Sequence, residues 1–543
     1  MPWTLPSAVA GVVSHHETSA LGRAGPSGVA CPAPWCDDAR VSGARSLPAG
    51  FASEGVSPRI AAGLILLLAA ASWLPHLPSS LWLDETLSHW VIQDGLAQSI
   101  ERADLGQSQA AYFVFLWGWA QVFGTSEIAL RVPSLLAMLG ACFLLARLGA
   151  VLLGDRESGC LAAVVFASSW SVFRESVDAR SYALGLLVLL ALAASLLRWL
   201  DTGGWRKAWL CGALAALLPH LHVFFALGYP ALALYGLLRW RDSPARAAEL
   251  GAVVLCAIAG VLLYLPVALA LAEQASSYSF APTPGLYALF TIFVWPTPVV
   301  GLLVGFAVAG ILTAPSGRID EEARQATQPS APEIDRAVGG LLAVWVFLPL
   351  LFLFLVSTLT EASVFIRRYL IVAVPGVALL YAWALRGIPS APARLVAVSV
   401  VALSAFVLHE RPRDDFRAAA LEVRSFIATE GAAPVLLASG VIEGENESWL
   451  RDPARAGYLN APVDYYPMGE RVIALPRKLR GQPLALEILE PIMPTQPRFA
   501  VVEWTGNGAD VLGWLMPRAA RLGYRVERRN FGIVRVALFR KGP

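Results

Sequence analysis

Charge is scarce in this chain. Only 15% of its 543 residues are charged, where soluble domains carry about a quarter, and 56% are hydrophobic. Lysine occurs only at Lys207, Lys478 and Lys541, so nearly all 42 basic residues are arginine. A net charge of +2 gives no argument for nucleic acid as a partner. None of the six cysteines lies beyond Cys256, which excludes a disulfide within 411–543. Cys142, Cys160, Cys211 and Cys256 fall in apolar segments, as small buried hydrophobes do. Cys31 and Cys36 have no second ligand pair near them, so no metal site is expected there. A glycine-rich nucleotide loop and an internal repeat are also missing.

What the chain has in abundance is apolar length. Runs of roughly 20 residues, each able to cross the hydrocarbon core as a helix, recur at 60–77, 132–153, 159–173, 182–200, 209–220, 223–238, 250–271, 287–312, 337–358, 369–385 and 395–408. This predicts a mainly α, polytopic transmembrane bundle of about eleven spans. Segment 1–57, rich in Ala, Gly, Pro and Ser, lacks periodicity and the order of a signal peptide, and reads as disordered. The bundle is expected over 58–410, with a first outside loop at 78–131. Beyond it, 411–543 alternates helical and strand patterns and reads as a small α/β domain. Its expected strands are 434–439, 499–504 and 533–539, and its expected helices 415–430 and 509–522.

Arginine placement orients the bundle. With the N-terminus cytoplasmic, the loops holding Arg156, Arg198, Arg206, Lys207, Arg239, Arg241, Arg246, Arg318, Arg324, Arg336, Arg386 and Arg394 lie inside, as the positive-inside rule requires. The stretch LWLDETLSHW at 81–90 and everything after 409 then face outward. The segment 315–336 becomes a cytoplasmic linker. The arginine-rich, Ala/Gly/Pro-rich composition suits a bacterial gene of high GC content, hence a bacterial plasma (inner) membrane.

Within LWLDETLSHW, Asp84 and Glu85 sit at the membrane edge, where ionisable groups are costly and mark function. Neighbours on a helix diverge by about 100°, so one carboxylate can face a reacting hydroxyl while the other orients a substrate or cation. The competing reading is a helix cap or a solvated loop acid. Glu85 and His89, four apart, share a helical face, a spacing that suits two ligands of a divalent cation; a hydrogen-bonded interfacial histidine is the alternative. Arg180, Arg367 and Arg368 lie outside against the orientation bias. Forking onto a phosphate explains them, as does snorkelling to headgroups or pairing with Asp178. His222 stands at an outside turn as a polar cap or substrate contact. Tyr112, in the aromatic run AAYFVFLWGWAQVFG, is an interface anchor or a substrate contact.

These segments together resemble a known family. The order is a first span, an exposed acidic pair, an aromatic surface helix, VFGTSEIALRVPSLLA (122–137), DARSYALG and RRYLIVAVPGVALL. Over roughly 58–408 this resembles the GT-C fold membrane glycosyltransferases, specifically bacterial relatives of protein O-mannosyltransferases and aminoarabinose transferases (glycosyltransferase family 39-like). The resemblance implies a polyprenyl-phosphate-linked sugar as donor and inversion at the anomeric carbon outside the membrane. It implies Asp84 as the base, Glu85 as its assistant and arginines on the lipid phosphate. A glycan, lipid or protein would be the acceptor, and no cofactor is required. One departure is the His-Pro-Pro-Leu-Tyr-like string of relatives: SQAAYF (108–113) stands there, keeping only Tyr112. A transporter or flippase of polyprenyl-linked glycans, or a non-catalytic scaffold, would account for the bundle without the chemistry; the flippase predicts repeated halves and mid-span charges, neither of which is evident.

Overall fold

The computed structural model describes residues 56–103, 105, 110–273, 282–292, 296–312, 336–408, 414–445, 447–476, 483–506 and 510–542. The expectations for 1–55 and for most of the 315–336 linker lie outside them. Six described helices are long and apolar enough to cross a membrane: Pro58–His76, Glu127–Leu152, Tyr182–Thr202, Val223–Asp242, Ala247–Ala270 and Arg336–Leu359. Shorter apolar helices cover Ala110–Phe123, Thr297–Leu312, Tyr369–Leu385 and Ala391–Ser404. The protein is thus a multi-pass membrane protein.

Several expected spans are broken. Residues 159–173 divide into Arg156–Ala167 and Trp170–Glu175, because Ser169 caps the second helix by accepting from Val172 N. Within the 287–312 run the described residues include helices Leu286–Thr291 and Pro296–Leu312. Tyr369–Ala373 is a 3-10 turn before Val374–Leu385.

In lipid, helices associate through close contact of small residues more than through the hydrophobic effect. Helices Glu127–Leu152 and Arg156–Ala167 cross on such a contact. A Cβ added at Gly159 would lie 2.2 Å from the Ala146 carbonyl oxygen, and one at Gly149 would lie 2.9 Å from the Gly159 Cα.

The C-terminal part holds a five-stranded sheet of order β2-β1-β3-β5-β4. Strands β1 (Val435–Ala438), β3 (Arg498–Trp504) and β5 (Val534–Lys541) fall where alternation predicts them. Strand β2 (Val472–Ala474) is too short to leave a signal, and β4 (Tyr524–Phe531) is too rich in charge, since it is the edge strand. β1 is parallel to both β2 and β3, whereas β5 runs antiparallel to β3 and β4. The chain therefore winds to one side of β1 and then to the other, leaving a topological switch point at the carboxyl ends of β1 and β3. Gly440, just past β1, has φ of +79°, and a Cβ there would meet the Trp504 ring at 2.2 Å. Only glycine lets the chain turn over that ring.

Gly159→Ala is expected to lower the thermal midpoint of the detergent-solubilised protein, overpacking costing about 1–3 kcal/mol. Gly63→Ala, where nothing lies within 4 Å, should leave it unchanged or raise it.

Candidate active site

Helix Leu83–Ile92 carries the acidic pair near its start, with Trp82 as N-cap. Asp84 thus lies in the first turn instead of serving as the cap. Glu85 turns inward and is fully buried. Its Oε2 accepts from Trp82 N at 3.1 Å and its Oε1 from Ala179 N at 2.9 Å. Arg131 forks onto both oxygens, with Nε 2.7 Å from Oε1 and Nη2 on Oε2. The same guanidinium donates to the carbonyls of His76, Leu77, Ser79 and Ser80 at 2.6–3.0 Å. One arginine thereby ties the end of the first span, the acidic helix and helix Glu127–Leu152 together. It belongs to the FG-x-SE-x-AL-R string, where sequence reading saw a motif but no role. In the expected orientation it too falls in the outside loop at 78–131, the signal that singled out the other three.

With Glu85 inward, Asp84 must look elsewhere, about 100° around the helix. Its Oδ2 accepts from Arg368 Nη1 at 2.9 Å, and both side chains keep about a fifth of their exposure, 18% and 21%. Arg180, 6% exposed, donates from Nη1 to the Asp84 carbonyl at 3.4 Å, and its Nε has no hydrogen-bond partner. The two guanidiniums lie within range of each other's charge. The Tyr112 hydroxyl, buried and without a hydrogen-bond partner, lies in the field of Arg180, Glu85 and Glu175. It faces the interior, so Tyr112 is not an interface anchor. The His222 ring packs at 4.8 Å from Tyr182 and 5.7 Å from Tyr369, beside both arginines.

Arg368 stands here and Arg367 does not. The exposed Arg367 guanidinium lies 5.5 Å from the Trp170 ring, which Arg174 also approaches at 5.5 Å. Glu85 and His89 go to different partners. The His89 ring stands edge-on to Tyr465 at 4.7 Å, and burial pushes its pKa down to about 4. Among the described residues no group of three or more His, Cys, Asp or Glu is placed to hold a metal ion.

The sheet region closes over this helix. Tyr466 hydroxyl accepts from Leu81 N at 2.8 Å and donates to Glu127 at 3.0 Å, while Arg417 donates to the Pro78 carbonyl at 2.7 Å. Trp90 packs edge-on to Tyr458 at 5.7 Å. Asp414 accepts from Trp504 Nε1 at 2.9 Å and from the backbone N–H of Leu83, joining the sheet's switch point to the start of the acidic helix. Burial pushes the Asp414 carboxyl up to about 6.

No family model matches the chain, and no curated protein matches it. Among solved structures it is similar to ArnT from Cupriavidus metallidurans bound to undecaprenyl phosphate, at TM-score 0.51 and 13% identity, covering 89% of this chain and 99% of that one. The apo state of ArnT matches at TM-score 0.46 and 11% identity with the same coverage. Arabinofuranosyltransferase AftD from Mycobacteria matches at 0.46 and 16%, covering 89% of this chain and 42% of that one. At such identity the likeness to ArnT speaks for the fold alone, which is GT-C.

Removing one partner of a buried ion pair strands the other charge, at about 3–5 kcal/mol. Arg131→Met should therefore lower the thermal midpoint sharply, and adding Glu85→Gln should recover part of the loss. The folded state holds the Asp414 proton more tightly than the unfolded chain, whose carboxyl titrates at its ordinary 3.8. Stability should then fall as pH rises from about 4 to 6. Melting curves across that window should slope less in Asp414→Asn.

Proposed function

We propose that this chain is an integral-membrane glycosyltransferase that moves a sugar from a polyprenyl-phosphate carrier to an acceptor hydroxyl on the extracytoplasmic face. The observation that carries the reading is the convergence of Arg180 and Arg368 on Asp84, where the Asp84 and Arg368 side chains stay partly exposed. A glycosyl phosphate brings its own leaving group. It needs a base for the acceptor, a cationic seat for the departing phosphate and exclusion of water.

In this reading the donor phosphate enters between Arg180 and Arg368. It draws Arg368 off Asp84 and uncovers Oδ2, so the base is released only when the donor is seated. Asp84 takes the acceptor hydroxyl proton, the oxygen bonds to the anomeric carbon from the opposite side, and the carbon–oxygen bond to phosphate breaks. The electron pair leaves with polyprenyl phosphate, held by the two guanidiniums, and the anomeric centre inverts. Tyr112 and His222 line the same chamber and contact the donor. Glu85 acts through Asp84: its clamp by Arg131 aims the neighbouring carboxylate. The guanidiniums supply the positive charge a divalent cation would otherwise bring, so no cofactor is required. The N-terminus is cytoplasmic and the sheet extracytoplasmic, since the bilayer delivers a donor at the membrane surface and the arginine bias puts this surface outside.

The test uses membranes containing the full chain, fed with radiolabelled polyprenyl-phosphate sugars. Asp84→Asn should reduce release of sugar from the carrier at least 100-fold while the protein stays folded in detergent. Arg368→Gln should weaken donor use as well. Undiminished turnover in Asp84→Asn, or no release of label by the wild type from any sugar tried, rejects the transferase in favour of a flippase or scaffold.

A further inference from the structure

A second carboxylate stands beside the acidic helix, and the transfer reaction described above does not use it. Past β1, beyond Gly440, the chain forms a 3-10 turn over Ile442–Glu445. Glu443 stands in this turn, half-buried, and feels the negative charge of Asp84. Its Oε1 accepts from the Tyr458 hydroxyl at 3.3 Å. Tyr458 is held edge-on by Trp90 of the acidic helix at 5.7 Å and by Trp449 at 5.3 Å. At Gly457 a Cβ would fall 2.8 Å from Trp90 Nε1, so this contact is tight. The turn past β1, at the sheet's switch point where open α/β sheets bind ligands, is thus packed against the acidic helix through Tyr458 and Trp90.

Bringing a second carboxylate into the field of Asp84 in a desolvated place is unfavourable. Asp84 has Arg368 as counter-ion, whereas the contact made to Glu443 here is a neutral phenol. The two carboxylates also come from opposite sides, one from the bundle and one from the sheet. A ligand that offers a hydrogen to each would reconcile them. Adjacent hydroxyls on a sugar ring do so, and a serine or threonine side chain with its single hydroxyl does not.

We propose that Glu443 is an acceptor-binding residue that accepts a hydrogen bond from the hydroxyl neighbouring the one Asp84 deprotonates, so that the acceptor is a saccharide. This rests on the transferase reading and adds the acceptor class to it. Burial, with Asp84 adding its repulsion, pushes Glu443 up to about 7. The groups facing it are Asp84 and Tyr458. Since the ionised form accepts the hydrogen bond, acceptor binding tightens as pH rises through that value.

The experiment uses the full-length protein in membranes loaded with the radiolabelled donor, supplied with methyl pyranosides and furanosides or with a Ser/Thr-containing peptide. Release of sugar to water is measured alongside. The saccharide probes should accept label. Glu443→Gln should raise their KM about tenfold while release to water stays within about twofold. Glu443→Asp should recover part of the loss. The wild-type acceptor KM should fall between about pH 6 and 8, and that fall should disappear in Glu443→Gln. An unchanged KM in Glu443→Gln, or label passing to the peptide or to neither probe, overturns the inference. A wild type that releases no sugar even to water fails the transferase reading itself, a result distinct from these.

Discussion

The buried pair between Glu85 and Arg131 is the interaction on which the rest of this architecture depends. Both side chains are essentially excluded from solvent, at 0% and 1% exposure. Such a pair contributes little net stability over a well-packed apolar one, but it fixes geometry. Every oxygen of Glu85 and every nitrogen of Arg131 is engaged, so the acidic helix cannot rotate about its axis without stranding a buried charge. Helical pitch does the remainder: with Glu85 locked inward, Asp84 is held toward the cleft. The less exposed carboxylate aims the more exposed one.

Around that fixed direction the cleft is assembled from distant pieces. The loop before Tyr182–Thr202 delivers Arg180 and, through Ala179 N, is tied to Glu85 itself. Arg368 arrives from 284 residues away, on the turn leading into Tyr369–Ala373. The sheet delivers Asp414 against the start of the acidic helix and Glu443 into the field of Asp84. The tight glycine contacts, Gly149 on Gly159 in the bundle and Gly440 over Trp504 in the sheet, set these backbones close enough for short side chains to meet.

Much of this was legible from the chain. Six of the apolar runs coincide with the described helices long and apolar enough to cross a membrane, because crossing a bilayer demands a minimum length whatever the neighbours are. Alternation gave β1, β3 and β5 because one or both faces of each are buried. The acidic pair and the outside arginines stood out because charge at a membrane edge is expensive. Other features were hidden. The break inside 159–173 depends on a single cap. The Tyr112 hydroxyl looked interfacial because its neighbours are aromatic, yet packing turned it inward.

By itself, then, the sequence determined which runs are apolar enough to enter a membrane, where charge is concentrated and that Asp84 and Glu85 cannot face the same way. These follow from the transfer energy of side chains and the fixed pitch of a helix, both local properties. Only the tertiary structure decided which acid faces in, that Arg131 is its partner, that Arg368 and not its neighbour Arg367 meets Asp84, and that Glu443 comes within the field of Asp84. Those choices depend on contacts between segments hundreds of residues apart, and no periodicity within one segment encodes the position of another.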